Sequence, residues 1–158
     1  MSYLIDGNNV MAQRVGWHRD KAKARRGLLD DLSQFAQARR ISLRVVFDGE
    51  PEKHFADGAV YRGVRVFYAE RGSNADERIK QFVEKERERR TLIVVTSDRA
   101  LADYVRRCGA QVMRSGEFRR RMEEALSEPQ ASHEEAEAAG EDINQWMRYF
   151  GVGPEDEG

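Results

Sequence analysis

The sequence predicts an α/β sandwich, and three observations carry that expectation. Short apolar or β-branched runs alternate with helical patterns along most of the chain. One of them, Thr91-Leu92-Ile93-Val94-Val95, is almost purely apolar, as befits a central parallel strand covered on both faces. Several of the runs end in an acid or amide, which is delivered to the strand edge where open α/β sheets bind ligands. The expected fold is a three-layer α/β/α sandwich around a mainly parallel five-stranded sheet.

The elements follow in order. Tyr3-Leu4-Ile5 forms a short buried strand that runs into Asp6-Gly7-Asn8-Asn9, read as a tight turn. Residues 10–18 are expected to be a loop. Leu28, Leu32, Phe35 and Ala36 recur at helical spacing and predict a helix over about 19–40. Ser42 to Phe47 is a second strand ending in Asp48-Gly49, and residues 49–62 read as a loop. Val64 to Tyr68 is the third strand. After it, Asn74-Ala75-Asp76-Glu77 has the form of a helix start, with Ile79, Phe82 and Val83 on the buried face. The fourth strand, 91–95, ends in Thr96-Ser97-Asp98. A short helix holding Leu101, Tyr104, Val105 and Cys108 closes at Gly109, and a fifth strand, Ala110 to Met113, leads into a last core helix to about 127.

A chain of 158 residues makes one ordinary domain with room for an appendage. Residues 1–127 are assigned to the domain, and 128–158 to an acidic linker followed by a short amphipathic helix with Ile143, Trp146, Met147, Tyr149 and Phe150. Charged residues make up 35% and hydrophobic ones 40%, which suits a soluble protein, and no apolar run approaches the ~20 residues of a membrane span. The first residues lack the basic and long apolar segments of a signal peptide, and a single cysteine, Cys108, excludes an internal disulfide. Cytoplasmic residence without a membrane partner is expected.

The net charge of −1 hides an asymmetry. Residues 128–158 hold nine acids and one base, leaving 26 bases against 19 acids in residues 1–127, so a body of +7 carries a tail of −8. A basic body is the footprint of a phosphate-backbone partner, although any single arginine pair reads equally well as a solvated helix face. The faces holding Lys21 to Arg26, which include Arg25 and Arg26, and Arg119 to Arg121 are candidates to follow such a backbone. Trp17, His54 and Tyr61 are candidates to stack on an unpaired base. The acidic tail would compete with that partner for the same surface.

The chemistry lies in the acids. Asp6, Asp48 and Asp98 end the first, second and fourth strands, and Asp76 opens the helix after the third. Clustered carboxylates repel and raise one another's pKa, so a fold rarely gathers them without a cation to hold. Oxygen ligands select Mg²⁺ or Mn²⁺, and such an ion serves hydrolysis of phosphodiesters. Each acid also has a purely structural alternative: Asp98 as a helix N-cap, Asp76 as a dipole partner, Asp48 as a turn residue. What favours chemistry is that independent caps need not fall on one edge of one sheet. A haloacid-type phosphatase requires an acid where Asn8 stands, and the first turn lacks the G-x-G-x-x-G of a dinucleotide site. The remaining alternative is a non-catalytic RNA-binding or adaptor module on a nuclease-like fold.

Asp6-Gly7-Asn8-Asn9 is similar to the D-G-x-N opening of NYN domains. Val46-Phe47-Asp48, Asn74 to Ile79 and Val95 to Asp98 fall in the order and spacing of the YacP-like branch. Arg114-Ser115-Gly116-Glu117-Phe118 resembles that branch's closing R-x-S-x-x-E segment, with Glu117 one place early. The likeness spans residues 2 to about 127. It implies a PIN-like nuclease fold and a Mg²⁺- or Mn²⁺-dependent endoribonuclease leaving a 5′-phosphate, acting on RNA that is free or presented by a ribosome or another platform. Carried over residue by residue, it implies Asp6, Asp76 and Asp98 as metal ligands. Asn9 would hold a metal-bound water or orient Asp6, Asp48 would line the pocket, and Thr96 and Ser97 would contact a phosphate.

Overall fold

The computed structural model of the chain describes residues 1–53 and 55–128. His54, the acidic linker from 129 and the amphipathic segment at 143–150 lie outside the described residues. By its contacts the chain divides into Met1–Leu126 and Ser127–Gly158, and it is the first unit that is described here.

Six strands form one sheet: β1 (Ser2–Asp6), β2 (Leu43–Phe47), β3 (Val60–Tyr61), β4 (Val64–Tyr68), β5 (Leu92–Val95) and β6 (Gln111–Met113). Their order across the sheet is β3-β4-β2-β1-β5-β6, parallel throughout except for β3, which runs antiparallel to β4. The helices are α1 (Gly7–Met11), α2 (Lys21–Arg39), α3 (Ala75–Lys85), α4 (Arg99–Arg107) and α5 (Ser115–Ser127).

Alternation along the strands explains the layers. Ile5, Val45, Val66 and Val95 pack with Leu28, Leu32, Phe35 and Phe118 in one core under α1, α2 and α5. Leu4, Val46 and Val94, each one residue away, pack with Ile79, Val83, Leu101 and Val105 in a second core under α3 and α4. A strand that feeds both cores must be apolar at consecutive positions, and this is why β5, buried along its whole length, has no polar face. The three-layer sandwich expected from the sequence is therefore the fold found.

Two elements depart from expectation. The stretch read as a turn and loop begins with helix α1, which carries Val10 and Met11 into the first core at 0% and 2% exposure. A glycine and two asparagines are poor helix formers, so burial and side-chain bonds, not propensity, hold this one turn. Gly7 is a close-packing residue instead of a turn former, since a Cβ there would lie 2.5 Å from the Phe47 ring and 3.0 Å from Val45. The sixth strand, β3, falls inside the expected loop 49–62. It pairs with β4 through a two-residue turn in which Arg62 and Gly63 both have positive φ, at 47° and 89°. That is the sign pattern of a hairpin turn, carried by Arg-Gly where Asn-Gly would have announced it.

The chain runs outward from β1 through β2 to β4, then returns to place β5 on the other side of β1. The reversal opens a crevice beside the carboxyl end of β1, the position where α/β sheets bind ligands.

Candidate functional site

At that crevice Asp6, Asn8, Asn9, Ala12, Asp48, Asn74, Asp76 and Asp98 line an open cleft of about 370 Å³. Each acid arrives from a different element. Asp6 ends β1 and is 4% exposed, and Thr96 Oγ1, just past β5, donates to its Oδ2 at 3.0 Å. Asp48 follows β2, and its Oδ1 accepts from the Ala75 N–H at 2.7 Å, tying β2 to the first residue of α3. Asp76 lies in the first turn of α3, whose N-cap is Asn74, with the Glu77 N–H donating to the Asn74 side chain at 3.0 Å. Asp98 is the N-cap of α4, accepting from the Leu101 N–H at 3.0 Å, while its own N–H donates to Thr96 Oγ1 at 3.1 Å. The capping role that competed with chemistry for Asp98 is thus filled, and the residue still faces the cleft.

The electrostatics are those of carboxylates short of positive charge. Burial pushes Asp6 from 3.8 up to about 7; the Thr96 hydroxyl and the Asn9 backbone N–H pull the other way, and the charges of Asp76 and Asp48 add to the rise. Asp76 is also raised, first by burial, then by the charge and the hydrogen-bonding proximity of Asp98, with Lys80 offsetting part. Among the described residues no three acidic, histidine or cysteine side chains are already closed around a cation position. In its chemistry the set suits a hard dication nonetheless: the donors are oxygens, and a buried carboxylate among other acids is stabilised by a cation more than by anything the chain supplies there.

The Asn9 side chain is held by two donors. Its Oδ1 accepts from the Ser97 N–H at 2.7 Å and from Ser115 Oγ at 2.8 Å. Both lone pairs are used, so the side chain offers the cleft its Nδ2 donor, not an oxygen. Ser115 is fully buried, and its N–H donates to Ser97 Oγ at 3.1 Å, closing a link among α1, the end of β5 and α5. Asn8 ties the other flank, its Oδ1 accepting from the Asp48 N–H at 3.0 Å.

A family comparison matches residues 3–148 to the YacP-like NYN domain. The chain belongs to that family. The match runs past residue 127, where the likeness visible in the motifs stops. Among solved structures, a mutant of Rae1 (YacP) from Bacillus subtilis is similar with a TM-score of 0.67 and 20% identity, covering 90% of this chain and 85% of that one. Rae1 (YacP) itself gives 0.65 and 21%, covering 88% and 86%. No curated protein matches the chain. The NYN domain here is thus a nuclease-type domain with the fold of the Rae1 structures.

Not every residue singled out in the sequence reaches the cleft of this NYN domain. Thr96 and Ser97 do not line it but bond residues that do, Thr96 through Asp6 and Asp98 and Ser97 through Asn9. Arg26 is exposed on α2, with its side chain at 51%. Arg25 and Arg119, expected on RNA-facing surfaces, are turned inward instead. Arg25 bonds the backbone carbonyls of Asp48 and Glu50, pairs with Glu52 at 3.5 Å, and lies over the Phe47 and Tyr68 rings. Arg119 is 7% exposed and is bound to Asp31 and to the Val10 carbonyl. A basic run on a helix says nothing about which members face inward, and the guanidinium's planar fork makes arginine the base best able to be buried. Sequence reasoning missed Asn8 and Ser115 as site-building residues; Ser115 stood inside the motif Arg114 to Phe118, and its place there was the available signal.

Proposed function

We propose that this NYN domain is a divalent-metal-dependent endoribonuclease that hydrolyses RNA phosphodiester bonds at the cleft of Asp6, Asp48, Asp76 and Asp98. The observation that supports it best is the convergence of four carboxylates from four elements on one cleft, with Asp6 pushed up to about 7, an arrangement that opposes folding unless a cation is bound. Asp6, Asp76 and Asp98 would hold Mg²⁺ or Mn²⁺, which when bound supplies Lewis-acid activation of water and neutralises charge on the phosphate.

The chain's own groups supply orientation. The Thr96 hydroxyl fixes Asp6 Oδ2 and, by accepting from the Asp98 N–H, sets the spacing of β1 and β5 across the cleft. Asn9, its oxygen occupied, presents Nδ2–H to a non-bridging phosphate oxygen, where negative charge grows in the transition state. Ser97 accepts from Ser115 through its hydroxyl oxygen and retains its proton as a second donor toward the phosphate. Asp48, held by the Asn8 side chain and the Ala75 N–H, lines the cleft and adds to the field that draws a cation.

We place the activity in the cytoplasm, on RNA free or presented by a ribosome, with products carrying a 5′-phosphate. The test incubates wild-type and Asp6→Asn protein with unstructured RNA, structured RNA and translating ribosomes, in Mg²⁺, Mn²⁺ or chelator. Cleavage in metal that is lost in chelator and in the variant is expected. Cleavage that survives both contradicts the assignment.

A further inference from the structure

A cavity of about 560 Å³ lies beside the catalytic cleft and has no part in the chemistry above. Helix α1 and the turn that continues it are the shared wall: Asn8, Asn9 and Ala12 face the cleft, Met11 and Arg14 the cavity. The opposite wall is the first half of α2. Trp17, half-buried, stands in the cavity, with the Lys21 ammonium 5.6 Å from its ring centroid.

The cations of this groove divide into two kinds. Arg14 and Arg119 share Asp31, each reaching it at 3.4 Å, so its one carboxylate offsets one of their two charges. Arg19 and Lys23 are exposed, and their side chains make no ion pair among the described residues; Arg26 has only a long contact to Glu52 at 3.8 Å. Of the acids present, Asp20 is occupied as the α2 cap, accepting from the Lys23 N–H, and Asp30 accepts from the Tyr61 hydroxyl at 2.8 Å. Positive charge without a partner and an aromatic ring in a recess are what a nucleotide requires, its phosphate on the one and its base on the other. The volume is in the roughly 300–1,000 Å³ range of small-ligand pockets. Across the cleft, the flanking pocket at Glu50, Glu70 and Arg71 holds two acids and one base and offers no such grip.

We propose that the α1–α2 groove binds one side of a single-stranded RNA substrate, stacking an unpaired base on Trp17 and holding adjacent phosphates with Arg19, Lys23 and Arg26. The site is selective for single strands because a ring recessed in a cavity meets a base face only when that base is unpaired. The proposal rests on the nuclease reading for its choice of RNA, but it concerns binding, which is measured without cleavage.

The experiment uses full-length Trp146→Phe protein, in which Trp17 is the sole tryptophan, in chelator at low salt. Its emission is titrated with a single-stranded oligoribonucleotide and with the same sequence as a duplex. Saturable quenching by the single strand and little by the duplex is expected. Arg19→Glu and Lys23→Glu, both at exposed sites that leave the core intact, should each weaken binding about tenfold or more and flatten its salt dependence. Unchanged Trp17 emission at RNA concentrations that saturate anisotropy of labelled RNA overturns the proposal, as does full affinity in both glutamate variants. Cleavage by wild-type protein in Mg²⁺ is scored separately. Quenching without cleavage of either free RNA or translating ribosomes would sink the nuclease reading and keep the groove, and cleavage with no role for the groove would do the reverse.

Discussion

Ionising Asp6 opposes folding, because the carboxylate is 4% exposed and its neighbours Asp76 and Asp48 are also acids. Below 3.8 folded and unfolded chains are both protonated and pay nothing. Between 3.8 and about 7 the unfolded chain releases its proton while the folded one keeps it, so the metal-free protein loses stability as pH rises through that window. Above 7 the loss is complete and on the order of 4 kcal/mol for this one group. Asp6→Asn should therefore raise the Tm of metal-free protein at pH 8 and leave it nearly unchanged at pH 4, as followed by thermal unfolding. A variant less stable than wild type at pH 8 would contradict the burial argument. Ser115 makes a separate case. Its hydroxyl holds Asn9 Oδ1, so Ser115→Ala frees the amide to rotate and misplaces a donor. We expect kcat to fall about tenfold with KM changed by less than about twofold, the signature of an interaction made in the transition state. An increase in KM at unchanged kcat would assign Ser115 to substrate binding instead.

At the scale of elements, α1 is where sequence and structure part. Its five residues have weak helical propensity, and nothing in their spacing reveals that Val10 and Met11 enter the core. What fixes α1 is contact: the Gly7 backbone against Phe47, and the Asn8 and Asn9 oxygens on the ends of β2 and β5. Gly7→Ala places a methyl 2.5 Å from a Phe47 ring that is itself fully buried. Overpacking of this kind costs about 1–3 kcal/mol in urea unfolding, and the displaced helix should carry Asn9 away and lower activity in the folded variant. A stable, fully active alanine variant would show that α1 tolerates the shift. The strand β3 was hidden for another reason. Its turn uses Arg62 in a left-handed conformation, which residue type alone gives no reason to expect. Strands β1, β2 and β5, by contrast, were legible within a residue or two, since burial on both faces forces an apolar run that few other elements share, and β4 was legible by its alternation, Val64, Val66 and Tyr68 buried and Arg65 exposed.

For the whole molecule, topology turns four separate acids into one cleft. Asp48, Asp76 and Asp98 were each readable as a turn residue, a dipole partner or a cap. Only the order β4-β2-β1-β5, with its reversal beside β1, brings them and Asp6 to the same crevice. The edge was legible because each acid followed a strand or opened the helix after one. The inward turn of Arg25 and Arg119 was not, because it depends on partners such as Asp31 and Glu52 that only the fold brings near. The central claim is that this cleft holds a divalent cation, and a Mn²⁺ titration followed by the loss of its free-ion electron paramagnetic resonance signal tests it most directly. Wild-type protein at pH 7.5 should bind Mn²⁺, and Asp6→Asn and Asp76→Asn should each lose that binding while remaining folded. Mn²⁺ binding that is absent in the wild type, or equal in all three proteins, would contradict it.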